Sequence, residues 1–497
     1  MAGGQLYSTR DVTEAERTIL LHATTPAARA TVAGTEGTRQ LAPRRDGVGL
    51  EVIDEAVRVV EDAQGFPLSA EQRWVLDAVV GGSRAVTTVE GPPGTGKTTL
   101  MRAARVAWEA AGYTVAGAAT AAVAAQNLAV ESGIRSRTVA QWLWRIDNGP
   151  GLAGLDVFVL DEANLTSDRD RARLYQAAAR SGTRIVEVGD PRQLRGVGEG
   201  SMFGYLHALL DGPRLSENRR QRNADERAAL AAFREGRHAE ALHTYQRIGG
   251  LVATETSDEA VAAMVTTWLR ARQGAPDPHI LTAGLVMLAA TNEQVGRIND
   301  AVQAVRAVRG ELGRAGSYRL AGGRQASFRV GDLVMVRRND RTEQAVTGAP
   351  VLNGYRGVVT AITREGVEVV WHTDSTEPTA QPVTDSSATK AVEAAVEGDG
   401  VGRAVLSPGF IAQGGLELGY ALTAHKAEGL TVNGQWTRPD GTRNDGTVLV
   451  YGPGMDNPGL YVSLSRDKGQ AILFAARTEL EATARTCSTA HPPPNKP

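Results

Sequence analysis

Val89-Glu90-Gly91-Pro92-Pro93-Gly94-Thr95-Gly96-Lys97-Thr98-Thr99-Leu100 decides how this chain is read. Gly91, then Gly96, Lys97 and Thr98 make the G-x4-G-K-[ST] pattern, set between an apolar run from Ala85 to Val89 and a helix-forming stretch from Leu100 to Ala111. Strand, loop and helix in that order let backbone N–H groups close around phosphate oxygens while the helix turns its positive N-terminal end to the same anion. Lys97 adds a mobile cation for the β and γ phosphates, and Thr98 a hydroxyl for Mg²⁺. A glycine-rich turn that merely fits the pattern would leave Lys97, Thr98 and both flanks unexplained. The stretch implies a nucleoside triphosphate site built from Gly91, Pro92, Pro93, Gly94, Thr95, Gly96, Lys97, Thr98 and Thr99.

The 497 residues exceed one small core and suggest roughly three domains of about 150 residues. With 42% hydrophobic and 22% charged residues, the composition is that of a soluble globular protein and excludes disordered and fibrous classes. A formal net charge of −2 gives no overall basic signature, so any nucleic-acid contact must come from a local groove. The single cysteine, Cys487, excludes an intramolecular disulfide and a cysteine metal site, and fits a reducing compartment. The first residues lack the apolar core of a signal peptide, and no run approaches the ~18 apolar residues of a membrane span. A soluble, cytoplasmic protein is expected.

Before the phosphate loop, Val12 to Ala30 and Gly49 to Ala63 carry apolar residues at helical spacing, which predicts an N-terminal helical region over 1–64. A further helix begins near Leu68, with Ser69 as cap and Gln72 one turn inside. The Gln72 amide can donate and accept, as an adenine edge requires; the plain alternative is a surface glutamine. Beyond the loop, apolar runs at Thr114 to Ala119, Asp156 to Leu160 and Arg184 to Val188 alternate with helical segments, which predicts an α/β domain over 65–235. Ligands of such sheets sit at the carboxyl ends of the strands, where Asp161-Glu162 and Gly189 to Leu194 fall. An aspartate there can hold Mg²⁺ and the adjacent glutamate can deprotonate an attacking water; a helix N-cap is the alternative for paired acids. Gln193 could touch a γ-phosphate or its water. The run Asp211 to Gln221 concentrates arginine, either as a solvated charge run or as a source of guanidinium for a transferred phosphoryl group.

A second α/β pattern starts at Val286 to Asn292 and resumes at Leu418 to Thr431, Gly446 to Val450 and Gln470 to Phe474. Between these lie β-rich runs, Phe328 to Val336, Gly354 to Ile362 and Val367 to Trp371, read as a small barrel. Residues 372–402 read as a linker of low order, and the proline-rich tail after 480 as disordered.

Together these segments resemble the helicase part of MobF-type conjugative relaxases and the RecD-like branch of superfamily 1 helicases. The resemblance runs from about 65 to 480 and rests on motifs in order: Gly91 to Thr98, Gly117 to Gln126, Asp161-Glu162, Gly189 to Leu194, Leu215 to Gln221, Tyr420 to Thr431 and Tyr461 to Arg466. It implies an α/β fold of two RecA-like P-loop domains, 65–235 and then 236–324 with 404–480, with an SH3-like β-barrel insertion and linker at 325–403 and a tail at 481–497. ATP would bind between the two domains and a single DNA strand across them. By position, the resemblance makes Gln72 the adenine reader, Lys97 and Thr98 the phosphate and Mg²⁺ ligands, Asp161 the metal ligand, and Glu162 the base. Gln193 becomes the sensor, and Arg220 and Arg466 the arginine fingers. Thr120, Thr138, His425 and Thr431 match positions on the strand-binding face. The implied activity is ATP-dependent single-stranded DNA translocation or unwinding, 5′ to 3′, by a monomer serving plasmid transfer or DNA repair.

Glu428 stands where the family carries glutamine, and the short stretch from Thr138 to Asp156 leaves no room for a strand-separating pin of the usual size. Nothing matches the histidine triad and tyrosine nucleophile of a relaxase, so DNA nicking is not expected, and a separate relaxase or other transfer proteins become candidate partners. An RNA helicase and a non-motor docking module remain the alternatives. Trp142 and Trp144 could stack bases or fill the core.

Overall fold

In a computed structural model, residues 9–24, 47–194, 202–340, 346–348, 351–372 and 401–478 are described. Cys487, the 481–497 tail, most of the 372–402 linker and Thr25 to Ala30 lie outside them. Two compact units divide between Arg219 and Arg220.

The first unit begins with helices α1 (Arg10–Thr24), α2 (Leu50–Gln64) and α3 (Ala70–Gly81). Then β1 (Val86–Glu90), α4 (Lys97–Ala110), β2 (Val115–Ala119), α5 (Ala122–Ser132), β3 (Ser136–Thr138), α6 (Val139–Asn148), β4 (Val157–Leu160), α7 (Asp168–Ser181), β5 (Arg184–Gly189) and α8 (Phe203–Leu209) follow. The strands form one parallel sheet in the order β1-β5-β4-β2-β3. Every residue of β1, β2 and β4 is buried, as expected of a parallel sheet covered on both faces. One core packs α2, α3 and α4 against it around Leu76, Leu100 and Trp108; another packs α1, α6 and α7 around Ile19, Trp142, Phe158 and Tyr175. Helix α6 fills the short stretch after Thr138, which caps it: Thr138 accepts from the Gln141 N–H while the Gln141 side chain returns to the Thr138 N–H.

The second unit opens with α9 (Ala224–Arg234), α10 (His238–Arg247), β6 (Leu251–Thr254), α11 (Ser257–Ala271), α12 (Pro278–Gly284), β7 (Leu285–Ala289) and α13 (Asn292–Val308). A ribbon of β8 (Ala315–Arg319) and β9 (Gln325–Arg329) leads to β10 (Leu333–Val336), β11 (Val346–Gly348), β12 (Arg356–Ile362), β13 (Val367–His372), β14 (Val401–Leu406) and β15 (Leu416–Leu418). The chain then returns through β16 (Ala421–Thr423), β17 (Trp436–Thr437), β18 (Arg443–Asn444), β19 (Thr447–Tyr451), a helix at Asn457–Leu464 and β20 (Gln470–Ala476). Its main sheet is parallel, in the order β16-β7-β19-β20-β6. The α/β expectation of two parallel sheets is met.

The β-rich interruption is an antiparallel sheet in the order β11-β14-β13-β12-β10-β15. It draws on β14 and β15, beyond the three runs read as a barrel, and among the described residues no pairing joins its end strands β11 and β15. Tyr420 ties this sheet to α13: its hydroxyl donates to Asp332 Oδ1 at 2.6 Å and accepts from Arg306 Nη1 at 2.8 Å.

Candidate functional site

The phosphate loop leaves β1 at Glu90 and ends where Lys97 opens α4. Gly94 and Gly96 hold φ of 80° and 79°, a conformation that costs a side-chain-bearing residue about 1 kcal/mol or more. Gly91 is needed for space, because a Cβ there would lie 2.7 Å from Lys97 Cγ. The Lys97 stem therefore folds back across Gly91. Thr95 closes the turn, its hydroxyl donating to the Pro92 carbonyl at 2.9 Å, and the Gly91 N–H donates to the Gly189 carbonyl at the end of β5 at 2.9 Å.

Gln72 is buried, so it is not a surface glutamine. Its Oε1 accepts from the Ser69 N–H at 3.0 Å, completing a capping box on α3, and its Nε2 donates to the Thr95 carbonyl at 3.2 Å. A Cβ on Gly96 would lie 2.3 Å from that Nε2. Gln72 thus braces the loop from α3. The segment after α8 braces it from the other side: Leu215 N–H donates to the Glu90 carbonyl at 2.8 Å and Arg219 N–H to the Gly94 carbonyl at 2.7 Å.

Two strands away from β1, Asp161 and Glu162 follow β4. Burial of the carboxyl and then the Glu162 charge push Asp161 up to about 6, while the Lys97 cation opposes the rise. Glu162 is buried at φ 49°, a left-handed conformation rare for such a residue, and among the described residues its Oε2 has no hydrogen-bond partner. A strained backbone carrying a buried carboxylate oxygen with no partner among the described residues is costly unless function requires it. Gln193 is buried close by in sequence to Asp190, its N–H donating to the Asp190 carbonyl at 3.1 Å. Asn164, two residues after Glu162, accepts from the Asp190 N–H at 3.4 Å and donates to the Leu194 carbonyl at 2.9 Å, joining the acid pair's loop to the Gln193 loop.

Beneath this rim lies a buried network that has no counterpart among the sequence expectations. Arg171 on α7 donates to Asp168 Oδ1 at 2.6 Å, to Glu187 Oε1 on β5 at 2.9 Å and to the Ala163 carbonyl at 2.5 Å. It holds the residue immediately after Glu162. Arg171 shares a helix face with Leu174, Tyr175 and Ala178, and that spacing is the signal available for finding it.

Thr98 offers a hydroxyl, and Asp161 and Glu162 carboxylates, the hard oxygen donors that Mg²⁺ takes. With Glu162 Oε2 lacking a partner among the described residues, the residues present fit that cation. Thr120 and Thr138 stand at the carboxyl ends of the paired strands β2 and β3. Trp142 is core, its indole donating to the Gly117 carbonyl at 2.9 Å, whereas Trp144 is 67% exposed.

In the second unit, Arg220 Nη1 donates to the Ser465 carbonyl at 2.9 Å, and buried Arg466 donates through Nε to the Val462 carbonyl at 2.9 Å. Gln221 joins the same segment, donating to the Asp467 carbonyl at 2.9 Å. Arg220 and Gln221 are therefore both held by one short stretch, 465–467, which contains Arg466. His425 follows β16 at the carboxyl edge of the second sheet, and Glu428, partly buried, ends the turn that begins at His425; Thr431 lies instead toward the amino edge, next to Val432, which bridges to Asp467 ahead of β20.

The AAA domain family matches residues 67–256. "Probable conjugal transfer protein TraA" of Sinorhizobium fredii is 31% identical over 389 residues, covering 78% of this chain and 31% of the relative. "Conjugal transfer protein TraA" of Agrobacterium fabrum is 31% identical over 368 residues, covering 74% of this chain and 30% of the relative. The chain thus spans about a third of the length of these curated relatives. Among solved structures, Pif1 helicase from Candida albicans is similar with a TM-score of 0.45 and 17% identity, over 85% of this chain and 99% of that one. Residues 67–256 thus match the AAA domain family, and the chain is similar to the TraA conjugal transfer proteins over about three quarters of its own length.

Proposed function

We propose that this protein is an ATP-dependent single-stranded DNA translocase or helicase, moving 5′ to 3′ and serving conjugative DNA transfer. The observation that carries the hydrolytic part is the buried Glu162 carboxylate, held at a strained φ of 49° with Oε2 lacking a partner among the described residues, next to Asp161, which feels the Lys97 charge. The DNA part is supported by the motif order along the chain and by the names of the TraA relatives.

In this reading, the loop Gly91 to Thr99 binds the triphosphate through its N–H groups and Lys97, braced by Gln72. Thr98 and Asp161 would hold Mg²⁺, whose charge would offset that of the phosphates. Gln193 orients the attacking water and Glu162 takes its proton as the water oxygen bonds to the γ-phosphorus and the bond to ADP breaks. Arg220 and Arg466 are the residues proposed to meet negative charge developing on the transferred group. Thr120, Thr138, His425 and Thr431 are the proposed strand contacts, with exposed Trp144 as a further stacking candidate.

The test is steady-state ATP hydrolysis with no nucleic acid, with single-stranded DNA and with single-stranded RNA, in the wild type and in Glu162→Gln. Strong stimulation by DNA that vanishes in the variant supports the motor, and duplexes with 5′ or 3′ tails then give direction. Nucleotide binding without stimulated turnover sinks it in favour of a docking module; preferential stimulation by RNA changes the substrate class.

A further inference from the structure

Residues 312–331 contain Arg314, Arg319, Arg324 and Arg329 and not one acidic residue, in a chain whose formal net charge is −2. They form the β8–β9 ribbon, whose register pairs Ala315 with Arg329, Ser317 with Ser327 and Arg319 with Gln325. Because side chains alternate along a strand, these pairs share one face, and Gly316, Tyr318, Ala326 and Phe328 share the other. The second face is turned inward. Phe328 is buried, its ring centroid lies 6.1 Å from that of Tyr318, and a Cβ on Gly316 would stand 2.8 Å from Ile362 Cγ2 of β12. The outward face therefore carries Arg319, Arg329, Ser317, Ser327 and Gln325. Arg314 before the ribbon and Arg324 at its turn are exposed beside it.

The flanking acids do not neutralise this charge. Glu311 is paired with Arg272 and Arg306, and Asp332 accepts from Tyr420 Oη, Gln303 Nε2 and the Arg329 N–H. Among the described residues, none of the four ribbon guanidinium groups has a carboxylate partner. Guanidinium, hydroxyl and amide groups without aromatic rings are the chemistry of phosphate contact. Single strands, by contrast, are gripped largely by stacking on exposed aromatics, and here both rings face the core. A two-stranded ribbon also has the width that the groove of a duplex admits.

We infer that the outer face of the β8–β9 ribbon binds the phosphodiester backbone of duplex nucleic acid, without reading sequence. The surface is distinct from the nucleotide loop, and its test separates the two readings. Binding of a short blunt DNA duplex to the full chain is followed by fluorescence anisotropy across a salt series, for the wild type and for the combined variant Arg314→Gln, Arg319→Gln, Arg324→Gln, Arg329→Gln. The variant is expected to lose about tenfold or more in duplex affinity at low salt, and its plot of log affinity against log salt to flatten by about 3–4, near 0.9 per phosphate contact released. The corresponding four Arg→Lys changes keep binding, and ATP turnover stimulated by single-stranded DNA stays near the wild-type value. If the combined variant misfolds, the exposed pair Arg314→Gln and Arg324→Gln carries the same comparison with about half the change in slope. Unchanged duplex affinity and slope overturn the inference, as does tighter, ribbon-dependent binding of a polyglutamate peptide, which would make the partner an acidic protein. Ribbon-dependent duplex binding in a chain with no stimulated hydrolysis would sink the motor reading alone.

Discussion

The side-chain amide of Gln221 donates to the Asp467 carbonyl at 2.9 Å and reaches the Asp467 carboxylate at 3.3 Å. It also reaches the Ser465 carbonyl at 3.3 Å, the oxygen that accepts from Arg220. Arg466 is thus flanked on both sides by acceptors of Gln221. Losing one buried amide that serves several acceptors costs about 1–3 kcal/mol. Gln221→Ala is expected to lower kcat for ATP about tenfold while nucleotide affinity changes little. Gln221→Glu should be worse, since it sets a carboxylate against Asp467 and two carbonyls. Steady-state hydrolysis with single-stranded DNA measures both; wild-type kcat in the two variants would remove Gln221 from the arrangement.

Glu162 should show opposite effects on activity and stability. Its carboxylate raises the Asp161 pKa and has an Oε2 without a partner among the described residues, so a neutral amide of the same shape relieves repulsion at the rim. Removing a general base costs about 10²–10⁴ in turnover. Glu162→Gln is expected to lose hydrolysis by that factor, keep nucleotide binding, and melt at the wild-type temperature or a few degrees above it. Calorimetry beside a turnover assay decides; a variant that still hydrolyses ATP at the wild-type rate would falsify the base assignment.

How much of this is legible in the sequence depends on how local the signal is. Gly91, Gly94, Gly96 and Lys97 announce themselves, because backbone dihedrals and crowding within a few residues dictate them. Gln72 can be picked out, yet its partner Thr95 lies 23 positions away and its brace on the loop appears only in the fold. Trp142 and Trp144 sit two positions apart on one helix, so they face different ways; spacing alone does not say which is core. The antiparallel sheet reads as β-rich, but β14 and β15 join it by long-range pairing that no local pattern encodes. Arg171 is hidden among Asp168, Arg169, Asp170 and Arg173, a stretch that looks like a solvated charge run. Its spacing to Leu174, Tyr175 and Ala178 marks it as inward-facing, and Glu226 repeats the pattern with Ala229, Leu230 and Phe233.

Arg171 is fully buried and binds two carboxylates and a carbonyl, so truncating it leaves Asp168 and Glu187 as uncompensated interior charges. Breaking a buried ion pair from one side costs about 3–5 kcal/mol. Arg171→Ala is expected to unfold the first unit or lower its melting temperature by about 6–20 °C, at about 2–4 °C per kcal/mol. Arg171→Lys keeps a cation but cannot serve three acceptors in one plane, and should fold with reduced turnover because Ala163 loses its donor. Thermal melts with nucleotide-binding titrations test this; a stable, active Arg171→Ala would show that the network does not hold the Glu162 loop.

The second buried acid pair makes the stability of the second unit depend on pH. Burial pushes Glu226 up to about 8, with the Asp467 charge adding to the rise, and burial pushes Asp467 up to about 7 against the Gln221 hydrogen bond and the Arg220 charge. Tyr245 also feels the pair, buried and itself raised first by burial and then by both acids. The Ala471 N–H, at 2.9 Å from Glu226 Oε1, opposes the shift without cancelling it. Unfolded carboxyls titrate near about 4, so between there and about 8 the folded protein holds protons that the unfolded chain has released. Unfolding free energy therefore falls as pH rises across that window, by up to about 1.4 kcal/mol per pH unit for each group still differing between the two states, and levels off above it. Glu226→Gln keeps a hydrogen-bond acceptor for Ala471 but carries no charge to bury. It is expected to flatten the decline and to be more stable than the wild type at about pH 9, while gaining little at about pH 5. Denaturant melts across the window read this directly. A variant with the wild-type slope and lower stability at high pH would mean that Glu226 is charged and well paired in the folded protein.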